Sequence, residues 1–120
     1  MKGVIILIRG ASQQFKFTTP YLVSALDEIT VIFKQYEDGQ ETVSIKKTRS
    51  DCRFIGPETR TKTIYVILNQ DETLRFSTDS KAYVQLRAIT SDGLVFASRI
   101  KPVTVHSTLD ETILVQAGDS

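Results

Sequence analysis

The chain has no tryptophan, one cysteine and one histidine in 120 residues. A lone thiol, Cys52, excludes an internal disulfide and any cysteine-rich zinc site. A lone imidazole, His106, excludes a multi-histidine metal centre. Without tryptophan, the commonest stacking platform for sugars is missing. Neither sign of charge dominates: fifteen basic residues face fourteen acidic ones, a net charge of +1. Dedicated nucleic-acid binders usually carry a large basic excess. Long apolar runs are also lacking. Val4-Ile5-Ile6-Leu7-Ile8 is shorter than the about 7–15 residues of a signal-peptide core. It is far short of the roughly 20 needed to cross a bilayer. Its β-branching reads instead as a buried first strand. The expectation is a chain made and folded in a cytoplasm, with no membrane span.

What is present is a series of short β-branched runs separated by turn signals, the spacing of an all-β protein. Strands are expected at 4–9, 13–18, 28–36, 40–47, 62–69, 81–90, 94–101 and 102–106, with a doubtful one at 111–116. Two single-turn helices are expected. Ser24-Ala25-Leu26-Asp27 has capping-box spacing, and Asn69 is followed by Glu72 three residues later. Residues 54–61 form the longest clear loop. A single sandwich domain spans 1–115, and 116–120 should fray.

Two hairpins can be argued in detail, because a one-residue slip turns every side chain to the other face. A three-residue loop at Ser91-Asp92-Gly93 pairs Ala88 with Phe96, Leu86 with Ser98 and Val84 with Ile100. The same loop length at Glu37-Asp38-Gly39 pairs Phe33 with Val43 and Val31 with Ile45. Both glycines should have positive φ in G1 bulges. The inward set is then Ile29, Val31, Phe33, Val43, Ile45, Ile64, Val66, Leu68, Val84, Leu86, Ala88, Phe96, Ile100, Val103 and Val105, joined by Phe15 and Phe17. So many inward positions on short strands call for two packed sheets. The economical fold is a two-sheet immunoglobulin-like β-sandwich of about 7–9 strands. A small barrel is the runner-up.

Residues for catalysis are sparse. Cys52 follows Ser50-Asp51 and precedes Arg53, but His106 lies far along the chain, so a structural thiol is the better reading. No nucleophile elbow or Ser-x-x-Lys motif of the catalytic kind occurs. The adjacent carboxylates Asp27-Glu28, Glu37-Asp38, Asp71-Glu72 and Asp110-Glu111 fall where caps and turns want oxygen acceptors. None has the spacing of a calcium loop. Scattered glycines without a long helix offer no phosphate cradle. The basic stretch Lys46–Arg53, with Arg60 and Lys62 after it, lacks interleaved aromatics. It reads as a sheet edge guarded by charge. No catalytic residue, cofactor or metal is expected.

The outward residues are more informative. Ile32, Tyr65, Ile67, Tyr83, Gln85, Arg87, Ile89 and Val95 turn away from the core. Scattered apolar residues are ordinary on any surface, but Tyr and Arg are enriched at interfaces. Ile89, Val95 and Tyr83 share one hairpin face. An interface is therefore expected at Ile32, Tyr83, Gln85, Arg87, Ile89 and Val95.

A set of motifs adds a direction. It comprises Arg9-Gly10, Phe15-Phe17, Ile32-Phe33-Lys34-Gln35, Ser50-Asp51-Cys52, Val66 through Phe76, Val84-Gln85-Leu86-Arg87, Asp92-Gly93 and Ala97-Ser98. The set resembles small, uncharacterised proteins of tailed phages and prophages of Gram-positive and gut bacteria. These are similar to the immunoglobulin-like N-terminal domain of phage baseplate upper proteins. The resemblance covers roughly residues 9–106 and is carried by order and spacing. It implies a virion component, made in the bacterial host cytoplasm, that docks to other tail or baseplate subunits. With one domain and no long C-terminal extension, the expectation narrows to a small structural or adaptor protein. Its partners would be a second copy of itself or other virion subunits, not nucleic acid. The alternative is a carbohydrate-binding module using Tyr36, Tyr65 or Tyr83.

Overall fold

In the computed structural model, which describes residues 5–115, nine strands form two sheets. The strands are β1 (Ile5–Ile8), β2 (Gln13–Thr18), β3 (Leu26–Glu37), β4 (Gln40–Thr48), β5 (Cys52–Arg53), β6 (Thr63–Leu68), β7 (Ala82–Thr90), β8 (Val95–Ala97) and β9 (Lys101–His106). One short helix, α1 (Gln70–Leu74), joins β6 to β7. The larger sheet runs β1-β9-β7-β3-β4, with β8 also paired to β7, and the smaller runs β2-β6-β5. Lettered in chain order, with β8 and β9 together as G, these are the G-F-C-C′ and B-E-D groupings of an immunoglobulin-type sandwich. The first strand leaves the B-E-D group and pairs in parallel with β9. Val4 and residues 116–120, including the expected fraying tail, lie outside the described residues.

Alternation places the core between the sheets. Phe15, Phe17, Ile64, Val66 and Leu68 of the smaller sheet face Ile29, Val31, Phe33, Val43, Ile45, Val84, Leu86, Ala88, Val103 and Val105 of the larger. All are buried, as the alternation predicts. Phe15 and Phe33 meet across the layer at 5.1 Å between ring centroids. Phe96 is half-buried against this core. Phe76 closes one end as a buried plug, with Leu74 half-buried beside it. Val23, Leu26 and Ala82 complete the core without having been anticipated. In the first strand, expected to be buried, Leu7 joins the core while Ile6 and Ile8 are exposed, because β1 lies at the edge of its sheet.

Four expectations need correction. First, the strand expected at 94–101 stops at Ala97. Arg87 opposite Ala97 and Val84 opposite Lys101 differ in register by one residue. Phe96 and Val103 both face inward but differ in parity, so a single strand cannot carry both. The extra residue is absorbed at Ser98–Ile100, where Ser98 donates its N–H to the Leu86 carbonyl at 2.8 Å. Ile100 is thereby turned out, 62% exposed, rather than paired with Val84. The loop itself is as expected: Thr90 N donates to the Leu94 carbonyl, and Gly93 has φ 93°.

Second, the β3–β4 loop has two residues, not three. Glu37 is paired with Gln40, and Asp38 (φ 53°) and Gly39 (φ 78°) occupy a type I′ turn. Two-residue register alone would put Ser44 opposite Phe33. A bulge beyond Gln35–Tyr36 adds a residue on β4, so Phe33 faces Ile45 and Gln35 faces Val43. The inward set survives while every expected pair shifts. Third, Ser24 caps nothing. Val23–Ala25 is a 3₁₀ turn whose N-cap position is Leu22. Its N–H groups go to loop carbonyls instead, Val23 to Thr61 and Ser24 to Glu58. Fourth, residues 111–115 form no strand. The Asn69 box is present as expected: Asn69 Oδ1 accepts from Glu72 N and Glu72 Oε1 from Asn69 N, both at 2.9 Å. A second cap, at the 3₁₀ turn Arg49–Asp51, has Thr48 N donating to Asp51 Oδ2 at 2.9 Å.

Candidate docking face

The outer surface of the larger sheet is built by residues that alternate with the core. On β3 these are Thr30, Ile32, Lys34 and Tyr36; on β7 they are Tyr83, Gln85, Arg87 and Ile89. Pairing sets them side by side. Ile32 lies between Gln85 and Lys46, Lys34 between Tyr83 and Ser44, Thr30 next to Arg87, and Ile89 next to Val95. All six residues expected at an interface therefore fall on this one face. Ile32, Tyr83, Gln85 and Ile89 are half-buried, Arg87 is exposed, and Val95 is 60% exposed.

The face is hollow along its centre. A concavity of about 470 Å³ is lined by residues including Ile32, Tyr36, Tyr83, Gln85, Arg87 and Ile100. A second, of about 270 Å³, continues past Glu28, Lys46, Ile89 and Val95. Ile32 and Arg87 line both, so the two make one shallow trough. Tyr36 and Tyr83 form its upper wall, with ring centroids 6.5 Å apart and planes at 57°. Gln85 Nε2 donates to the Ser98 carbonyl at 2.8 Å, which fixes that side chain within the sheet. Lys34 is paired with Glu41 at 2.8 Å, and this contact raises the ammonium pKa. Lys46 and Arg87 form no ion pair or side-chain hydrogen bond among the described residues. Ile100 and Tyr36 were missed as members of this face. Ile100 reaches it only through the register change at Ser98–Ile100.

The remaining candidates are dispersed. Tyr65 and Ile67 lie on the outer side of the smaller sheet, where Tyr65 is flanked by Lys16 and Arg53. The three tyrosines considered for sugar stacking thus divide between opposite sides of the sandwich. Cys52 Sγ donates to the Thr48 carbonyl, and burial pushes the thiol up to about 11, with Asp51 adding and Arg49 opposing. That thiol is held protonated and structural. Much of the basic stretch is engaged inside the fold. Lys47, on edge strand β4 opposite Val31, reaches Glu72 of α1 at 2.7 Å. Arg49 pairs with Glu58, donates to the Leu26 carbonyl at 2.9 Å and lies over Phe54. Of the adjacent carboxylates, Glu72 serves in its cap, Glu111 pairs with Arg9 and Asp110 accepts from Thr112 N, whereas Asp27 and Glu28, expected at a cap, lie in β3 and cap nothing. Among the described residues no three metal-ligating side chains converge. No helix among them is long and apolar enough to cross a membrane.

No protein-family model matches the chain, and no curated protein matches it.

Proposed function

We propose that the chain is a non-catalytic structural or adaptor protein that works by docking another polypeptide in the trough of its larger sheet. The observation that carries this reading is the composition of that trough. Apolar side chains, two tyrosines and an unpaired arginine line one continuous hollow on an otherwise regular sheet. Contiguous apolar surface rimmed by polar groups marks interaction sites, whereas isolated exposed apolar residues do not. Tyrosine and arginine are the residue types that carry binding energy in such places.

The setting we propose is a phage or prophage virion, in a tail or baseplate. Its support is the resemblance of the ordered motifs to phage proteins, together with an immunoglobulin-type strand order. Mass spectrometry of particles purified from an induced host tests it. The chain should be recovered with the particles, and an Arg87→Glu chain should be depleted from them. Absence of the wild-type chain from purified particles contradicts the virion setting.

One observation favours a second reading, a carbohydrate-binding module: Tyr36 and Tyr83 stand together in the trough. Their tilt offers no common plane for a sugar ring. A tyrosine-fluorescence titration with polysaccharides decides it, since saturable quenching lost on Tyr83→Ala would support sugar binding.

A further inference from the structure

We infer that the trough receives segment 109–115 of a second copy, so that chains associate head to tail; this rests on the docking reading and names its partner. After β9 the chain forms no strand, yet it is held in place. Glu111 pairs with Arg9 at 2.7 Å. The Gln70 side-chain amide bonds Leu114 twice, accepting from its N–H and donating to its carbonyl, each at 2.8 Å. Asp110 Oδ1 accepts from Thr112 N at 2.9 Å and makes a local turn. Ordering a segment costs conformational entropy, normally offset by burying its apolar side chains. Here they stay in water: Leu109 is fully exposed, Leu114 is 75% exposed and Val115 85%. A fixed backbone presenting bare aliphatic groups is a preorganised ligand.

Charge selects the occupant. Residues 107–115 carry no lysine or arginine, and of their two carboxylates Glu111 is paired with Arg9 while Asp110 has no cationic partner. In the trough Lys34 is already paired with Glu41, which leaves Lys46 and Arg87 against Glu28, an excess of one positive charge. Apolar groups on both sides and opposite excess charge make the pair complementary. No residue of the segment lines the trough of its own chain, and the bonds at Arg9 and Gln70 hold it at the end of the sandwich. A segment that enters the trough therefore comes from a neighbouring chain. Two different surfaces meet, so the contact is heterologous and grows into rings or filaments.

Sedimentation velocity over a range of concentrations tests this with three full-length chains. They are wild type, the trough variant Arg87→Glu, and the segment variant Leu114→Glu/Val115→Glu, both variants altered only at exposed positions. Wild type should grow past a dimer with concentration and dissociate as salt is added. Each variant should associate at least about tenfold more weakly. An equimolar mixture of the two variants should stop at a one-to-one dimer, because it retains one good trough and one good segment. A segment variant that associates like wild type, or a wild-type chain monomeric at every concentration, overturns the head-to-tail contact. In either case the broader docking reading stands if Arg87→Glu abolishes capture of virion subunits, and falls if it does not.

Discussion

Two side chains show how polar groups are placed in this apolar fold. Gln35 continues the inward alternation of Val31 and Phe33 and is fully buried. Its Nε2 donates to the Ser77 and Ser80 carbonyls, and its Oε1 accepts from Ser77 N, each at 2.7 Å. Gln35→Leu keeps the bulk and strands those backbone groups. It should lower stability by about 2–3 kcal/mol in urea unfolding; an unchanged midpoint would show that the 77–80 loop is held by other contacts. Glu72 is the second case. Burial alone would raise its pKa, but the Lys47 ammonium and the Asn69 N–H hold it below the ordinary carboxylate value of 4.5. A depressed folded pKa contributes stability above the unfolded value, and that stability is lost as pH falls through the folded one. Glu72→Gln should therefore cost about 1–3 kcal/mol at pH 7 and far less once both forms are protonated. Stability curves of the two proteins from pH 7 down to pH 3 should converge; parallel curves would contradict the ion pair's role.

At the scale of elements, the two hairpins reach the same inward pattern by different turns. Gly39 follows Asp38 in a two-residue turn with both φ positive, and Gly93 ends a three-residue loop. A Cβ added at either glycine would meet nothing within 4 Å. The expected cost of Gly39→Ala or Gly93→Ala is thus conformational only, about 1–2 kcal/mol each. Thermal melts should show similar losses for both, and a negligible loss at Gly93 would argue against a left-handed residue there. Strand edges are handled by side chains too. Gln13 spans the free edge of β1, its Oε1 accepting from Ile8 N while its Nε2 donates to the Ile6 carbonyl. Most strands were legible from period-two alternation, and the Asn69 cap from its spacing. Pairing was less legible: the bulge beyond Gln35–Tyr36 and the register change at Ser98–Ile100 have no glycine or proline at the shift. The parity conflict between Phe96 and Val103 did mark that a change was needed, but not where. Thr48-Arg49-Ser50-Asp51 carried readable cap spacing that went unused, while the two-residue β5 is too short to leave a pattern.

Across the whole molecule, the sandwich separates a closed core from an outer face of the larger sheet that keeps apolar area in a trough. That the six residues expected at an interface share one outer face was legible, because outward positions follow once inward ones are assigned. The hollow was not, since its depth depends on Ile100 turning out and on Tyr36 leaning beside Tyr83. The most direct measurement is quantitative recovery of virion subunits, and of untagged copies of the chain, on tagged wild-type protein and on its Arg87→Glu variant at equal loading. Docking in the trough predicts recovery by wild type and a loss of at least about tenfold for the variant. Equal recovery by both would show that the trough of the larger sheet is not where this protein binds.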